Sequence, residues 1–207
     1  MLTGLRDKTF ENLQLNAGVF LENFTIDDKT SASSLKTSIL TALTGNAGNA
    51  GILGATVGGG SLVCEPAIRQ IEADGMRYPI IGSTVNDSWI IRLTGTMKEI
   101  TPDNFKRVLA SCDVAKNTKG DMTTLTLRTE IKKTDYISKL CWIGDTSKGF
   151  VAIELTNVLN LDGATFTFTD RGEGTLPFNF QAHISSMSTM DMAPIKIFFF
   201  EETTTTT

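Results

Sequence analysis

Hydrophobic and polar residues alternate along much of this chain. From Trp89 the apolar residues fall at Trp89, Ile91, Leu93 and Met97, and polar residues stand between them at Arg92, Thr94 and Thr96. A period of two places one face of a strand on a core and the other face in water. The same alternation recurs in residues 125–132 and 178–184. The pattern therefore predicts an all-β fold of the sandwich or barrel kind.

The last predicted strand differs from the others. Ile195 to Phe200 is apolar at almost every position and ends in three phenylalanines. A continuous apolar run is typical of a strand buried on both faces, so we expect it to be sandwiched or covered by a neighbouring chain. Residues 201–207, which end in five threonines, are expected to form a disordered tail.

One short helix is predicted beside the strands, near residues 102–111. Thr101 is suited to the N-cap, and Pro102 is suited to the first helical position. Ile100 and Phe105 have the spacing of a hydrophobic staple. A helix of about ten residues is not stable alone in water, so its apolar stripe is expected to pack on the sheet.

Residues 24–51 predict a long insertion loop, because they are rich in Ser, Thr, Gly and Asn. Such a stretch inside a compact domain is usually either functional or disordered. Leu35, Ile39 and Leu43 recur at intervals of four, which also allows a short amphipathic helix. Three apolar residues with little core of their own favour docking onto another surface, and a floppy insertion is the alternative.

Composition narrows the possible functions. The 207 residues suffice for a single domain over residues 1–200 whose core needs no metal or disulfide. The net charge of −4 argues against a nucleic-acid grip, because phosphate binding requires a basic face. No run of about 18 apolar residues is present, so we expect no membrane insertion. The N-terminus lacks the apolar stretch of a signal peptide, which favours a cytoplasmic origin.

Few residues are available for chemistry. The chain has one histidine, His183, and three cysteines that form no CxxC pair. We therefore expect no catalytic, metal-ligating or cofactor-binding residues, with His183 half-exposed in a strand and Cys64 and Cys141 in the core. The carboxylates Glu65, Glu72 and Asp74 lie together in sequence, but a solvated hairpin explains them without an acid/base role.

A glycine-rich string from Gly54 to Ser61 has the spacing of a phosphate-binding P-loop. Gly60 stands where that motif requires lysine, and no helical pattern follows. Without the lysine and the helix dipole, the loop lacks the charges that hold a phosphate. The string instead predicts a strand entrance where the backbone bends or approaches another backbone closely.

Several strings, taken in order, resemble the tail tube (major tail) proteins of long-tailed bacteriophages and prophages of Gram-positive hosts. The most specific is Pro66-Ala67-Ile68-Arg69-Gln70-Ile71-Glu72-Ala73-Asp74-Gly75. The others are Phe10-Glu11-Asn12, Leu15-Asn16-Ala17-Gly18-Val19-Phe20, Leu53-Gly54-Ala55-Thr56, Glu99-Ile100-Thr101-Pro102, Pro177-Phe178-Asn179-Phe180-Gln181-Ala182-His183 and Pro194-Ile195-Lys196-Ile197.

This resemblance implies a non-enzymatic virion protein. Such proteins form hexameric rings that stack helically into a hollow tube around a tape-measure protein, and DNA later passes through the bore. The tube would be assembled in the bacterial host cytoplasm and would meet tail terminator and distal tail or baseplate proteins at its ends. A contractile tail, a tailocin and a type VI secretion tube share this architecture and stay open.

Two placements follow for the candidate residues if the chain forms a tube. Leu35, Ile39 and Leu43 would become ordered only against the neighbouring subunit or ring. Glu65, Glu72 and Asp74 would supply negative charge in the lumen, where like charge keeps DNA from sticking. The alternative function is a secreted or surface β-sandwich binding module, such as an adhesin or a carbohydrate-binding domain.

Overall fold

The computed structural model describes residues 13–14, 16–27, 31–44 and 51–201. These residues form a mostly antiparallel β fold with two α-helices, which confirms the predicted all-β class. The strands are β1 (Val19–Glu22), β2 (Gly51–Ile52), β3 (Thr56–Gln70), β4 (Thr84–Met97), β5 (Cys112–Lys116), β6 (Thr123–Leu127), β7 (Ile137–Thr146), β8 (Gly149–Asn160), β9 (Leu176–Gln181) and β10 (Ile195–Glu201). The helices are α1 (Ala32–Leu43) and α2 (Pro102–Leu109). The tail expected after residue 201 lies outside the described residues.

Two antiparallel sheets share strand β8. Sheet A has the order β2-β1-β7-β8-β10, and sheet B has the order β8-β9-β4-β3. The first part of β8, from Gly149 to Leu155, pairs with β10, whereas Leu159 and Asn160 pair with β9. Between these parts Asn157 has a φ of 48°, an angle that a non-glycine residue seldom adopts. The strand therefore changes partner at Asn157.

The main core lies between the two sheets. Leu140 and Leu155 of sheet A belong to the same buried cluster as Leu93 and Phe180 of sheet B, and none of the four exposes more than 2% of its surface. The alternation predicted in residues 89–97 and 178–184 is confirmed for its buried members, which are Ile91, Leu93, Met97, Phe178, Phe180 and Ala182.

Helix α2 closes one side of this core. The backbone N–H of Asn104 donates to Thr101 Oγ1 at 3.2 Å, which confirms the predicted N-cap. Val108 is fully buried, and the helix ends at Leu109, two residues before the predicted end. The end is set by Ala110, whose φ of 61° lies outside the helical region.

Residues 24–51 are not one continuous loop, because residues 32–43 form the short amphipathic helix that the spacing of Leu35, Ile39 and Leu43 allows. This helix is α1, with Ser31 Oγ accepting from the Ser34 N–H at 3.3 Å. Leu35 and Ile39 share one face of this helix and pack in a second core on the far side of sheet A. That side offers its own apolar residues, such as Leu21 and Phe150, so the helix orders within the chain.

The strand predicted over residues 125–132 is wrong in its second half. Strand β6 ends at Leu127 and pairs with β5 alone, in a separate two-stranded sheet. Leu127 and Ile131 are 68% and 54% exposed. Alternation identifies which side chains share a face, but no second layer covers this face in the described part of the chain.

Arg128 attaches the β5–β6 sheet to the body of the protein. Its guanidinium forms an ion pair with Asp113 at 2.8 Å and an ion pair with a hydrogen bond to Asp135 at 2.6 Å. Burial raises the pKa of Asp135, but the Lys132 N–H and Arg128 more than offset this effect, so the pKa lies below its ordinary value. The ionised form is therefore the one that the folded protein favours.

We expect Asp135→Asn to destabilise the protein in a pH-dependent manner. Because the folded-state pKa is lowered, the carboxylate stabilises the fold above the ordinary Asp pKa of about 3.9. This stabilisation is lost as the pH falls through the lower folded-state value. Urea unfolding of both proteins from pH 7 downwards should show a free-energy difference that is constant near neutrality and shrinks in acid. A difference that does not change with pH would contradict the prediction.

Candidate assembly surface

Strands β3 and β4 extend beyond the rest of sheet B. Strand β9 pairs with β4 only between Arg92 and Met97, and nearer the hairpin end β3 and β4 pair only with each other. We call residues 64–90 the arm. All of its residues are exposed except Met76, Ser83 and Val85, which are half-buried. Both faces of the arm are therefore open to solvent in the isolated chain.

The arm ends in a connection that is longer than a tight hairpin turn. Gly75 has a φ of 87°, and the N–H of Met76 donates to the Ala73 carbonyl at 3.0 Å, so a turn does form there. A second turn follows, closed by the Ser83 N–H on the Ile80 carbonyl at 2.9 Å. Residues 71–83 thus link the two strands as a double turn.

Large apolar side chains are exposed on the arm. Ile68 and Trp89 are 63% and 53% exposed on its strands. At its end, Tyr78, Ile80 and Ile81 are each at least as exposed as Ile68. Soluble monomers seldom present apolar side chains in a contiguous group, and such groups mark interaction sites. The arm is therefore the strongest candidate for a contact surface in the described part of the chain.

One face of the arm continues the core face of sheet B. Leu62 and Leu93 pair across the two strands inside the sandwich, and Cys64 and Ile91 pair next to them. Pro66 pairs with Trp89 one step further out, beyond the strands of the second layer. This face carries Trp89 and Ile68, and the opposite face carries Glu65, Arg69 and Arg92 together with Ile90. Cys64 is exposed because no second layer covers this part of the face in the described ranges, so its predicted core position is wrong.

The outer edges of both sheets lack a partner strand among the described residues. Strand β3 ends sheet B, and β10 ends sheet A beside β8. On β10, Phe198 and Phe200 pack on the second core, whereas Ile197 and Phe199 are 46% and 77% exposed. An unpaired edge of this length is a template for another chain. Strand β10 was expected to be sandwiched or covered by a neighbouring chain. One of its faces is exposed in the isolated chain, so coverage by a neighbouring chain stays a prediction.

A polar groove of about 690 Å³ lies at the base of the arm. The glycine-rich string forms one wall, and Asn160, Asp162 and Asn179 lie on the other. The string bends at Gly58 and Gly59, which have positive φ angles, and no helix follows, because β3 runs on to Gln70. The lining includes no cationic, histidine or cysteine side chain, so the groove offers no P-loop phosphate site.

A close backbone approach accounts for Gly60 within this string. A Cβ atom at Gly60 would lie 2.3 Å from the carbonyl oxygen of Thr94 on the paired strand. That distance is impossible for real atoms, so any side chain would push β3 away from β4. The predicted role of the string as a bent strand entrance beside another backbone is confirmed.

The three candidate acidic residues do not form one group. Glu65 lies within β3, where it pairs with Arg92 at 3.1 Å. Glu72 and Asp74 lie in the double turn. The strand from Glu65 to Gln70 is about 17 Å long at 3.3 Å per residue, so Glu65 lies well away from the other two. Whether any of them faces a lumen stays a prediction.

Leu35, Ile39 and Leu43 do not share one environment either. Leu35 and Ile39 are 2% and 8% exposed in the second core, so the expectation that they order only against a neighbour is wrong. Their four-residue spacing puts both on the face of α1 that meets sheet A. Leu43 lies at the margin of that core with 37% exposure, and its role in a subunit contact stays a prediction.

Among the described residues, the histidine and cysteine candidates do not form a catalytic group. His183 is half-buried, as predicted, and its Nδ1 hydrogen-bonds the Asn157 carbonyl at 3.1 Å. Its predicted place within a strand is wrong, because β9 ends at Gln181. Burial raises the pKa of the Cys141 thiol to about 12, so this thiol stays protonated near neutral pH. No group of three or more His, Cys, Asp or Glu side chains is placed to hold a metal within these residues.

The hairpin around Glu72 and Asp74 is predictable from the sequence, whereas the exposed apolar face of the arm was not predicted. A usable signal was present in Tyr78-Pro79-Ile80-Ile81, an apolar run in a turn region where polar residues are usual. None of the helices in the described ranges is both long and apolar enough to span a membrane. Comparison with protein-family models and with curated proteins gives no match to this chain.

Proposed function

We propose that this chain is the structural subunit of a hollow tube of the bacteriophage tail type, and that it has no enzymatic activity. The observation that carries the proposal is the arm, which projects from the sandwich with both faces exposed. A monomer gains nothing from exposing Trp89 and Ile68 on such a projection. A subunit that inserts its arm against the next copy buries them.

The free strand edges support the same proposal. The β3 and β10 edges lie at the ends of different sheets, so they can face different neighbours. A head-to-tail contact between unlike surfaces closes into a ring when the rotation per subunit fits. A closed ring of sheets leaves no exposed edge, which removes the aggregation hazard of β3 and β10. The resemblance to tail tube proteins gives six subunits per ring.

The remaining assignments rest on the resemblance. The rings would stack around a tape-measure protein in the host cytoplasm, and terminator and distal tail or baseplate proteins would cap the ends. The polar face of sheet B, with Ser61 and Thr94 hydrogen-bonded at 2.7 Å, is suited to a water-filled bore. DNA would then pass along this face without being held.

Negative-stain electron microscopy of the purified chain tests the proposal. We expect rings or hollow filaments whose amount increases with protein concentration. Analytical ultracentrifugation over the same concentrations should show large assemblies beside the monomer. A chain that stays monomeric at every concentration, with and without a tape-measure protein, would overturn the proposal.

The second candidate is a carbohydrate-binding or adhesin module. The exposed Trp89 and Tyr78 favour it, because aromatic rings with a polar edge are common in binding surfaces that also meet water. Glycan-array binding by a monomer, with loss of binding in Trp89→Ala, would support this candidate. Rings or filaments without glycan binding would support the tube.

A further inference from the structure

Two arginines lie on the charged face of the arm and its base. Arg92 bonds Glu65 at 3.1 Å, and Arg69 bonds both oxygens of Asp87, at 2.9 and 3.1 Å. Each pair joins β3 to β4. Both arginine side chains are accessible to solvent, at 32% for Arg92 and 60% for Arg69.

The register explains how both pairs reach the same face. Glu65 and Arg69 are four residues apart on a regular strand, so their side chains share a face. On β4 the register shifts between the partners of Ala67 and Ile68, which leaves Asp87 as an extra residue. This bulge turns Asp87 towards Arg69, as β-bulges commonly re-aim a side chain.

Stability does not account well for these pairs. Exposed ion pairs contribute little to folding, because water screens the charges and two long side chains must be ordered. Arginine, however, binds phosphate with the same two-pronged geometry that it uses for a carboxylate. A carboxylate in that position therefore occupies the donors that a phosphate would take.

We propose that Glu65 and Asp87 mask Arg92 and Arg69, so that the charged face of the arm does not bind a polyphosphate such as the DNA backbone. The inference rests on the proposed tube function, in which DNA must pass this face freely. It differs from simple repulsion by excess negative charge, because the position of each carboxylate beside an arginine matters rather than the sum of charges.

The test compares two double variants with the same net charge. Glu65→Gln/Asp87→Asn frees both arginines, whereas Glu72→Gln/Asp74→Asn removes two carboxylates from the turn of the same arm. Binding to a short double-stranded DNA is measured by fluorescence anisotropy from about 50 mM salt upwards. If masking is correct, the first variant binds about tenfold or more tighter than the second.

The salt dependence adds a second measurement. Two newly available arginine–phosphate contacts should steepen the slope of log K against log salt by about 1.8. Equal DNA binding by the two double variants would overturn masking, because the total charge alone would then explain the binding. Adding Arg92→Gln and Arg69→Gln to the first variant should abolish its gain in DNA affinity. Persistence of that gain would also overturn the inference.

Failure of the inference and failure of the proposed function can be told apart. The DNA measurement uses the soluble chain and does not require assembly. Electron microscopy of the wild-type chain reports on the tube. Filaments with equal DNA binding by both variants would reject masking alone, whereas a monomer at all concentrations would reject the tube whichever variant binds DNA.

Discussion

The variant Ile68→Thr/Trp89→Thr will remain monomeric at concentrations where the wild-type chain forms rings or filaments. Both residues lie on the apolar face of the arm, and threonine is well tolerated on a strand at each position. Full burial of a large apolar side chain contributes about 1.5–3 kcal/mol, and about half of each is still exposed. The two substitutions together therefore remove about 1.5–3 kcal/mol from each subunit contact, or roughly 10- to 150-fold in the association constant.

Leu40→Gln/Ile131→Thr is the matched control. These two residues are 55% and 54% exposed, close to the values for the arm pair, but they lie on α1 and after β6. We expect this variant to assemble as the wild type does, in the same light-scattering and microscopy assays. Normal assembly of the arm variant, or an equal loss in both variants, would contradict a specific role of the arm.

The variant Leu35→Ala will lose about 2–5 kcal/mol of unfolding free energy. Leu35 is 2% exposed, and its side chain holds α1 on sheet A beside Leu21 and Phe150. A folded domain has only about 5–15 kcal/mol of stability, so the loss is large. The measurement is urea unfolding in the monomeric arm variant, where subunit contacts do not add to the stability.

Leu40→Ala on the same helix separates packing from helix propensity. Both substitutions exchange leucine for alanine within α1, but Leu40 points outwards. We expect its effect to stay within about 0.5 kcal/mol. Similar small effects of the two substitutions would mean that α1 does not depend on Leu35 for its place on sheet A.

Local patterns predicted the parts of the fold that depend on local geometry. The buried positions of β4 and β9 follow from alternation, and the start of α2 follows from Thr101 and Pro102. These signals work because strand pleat and helix capping involve residues close in sequence. The sharing of β8 between two sheets has no such signal, because it depends on pairing between distant strands.

The candidate surface was harder to predict than the core. Trp89 was correctly expected on the same face as Ile91 and Leu93, but a period of two does not say where the second layer ends. The exposure of Trp89 and Cys64 is therefore a property of sheet length. Leu35 shows the opposite error. Its helix has little core of its own in the sequence, but the apolar far face of sheet A packs against it.

The shared strand β8 has a mechanical consequence. Tension applied to the arm reaches β9 through the six pairs that join β4 to β9, and then reaches β8 through only two pairs, at Leu159 and Asn160. The Asn160 side chain strengthens this narrow joint by accepting from the Asn179 N–H at 2.7 Å. Under load, the protein should yield first where β9 leaves β8, while β10 stays attached along its seven pairs.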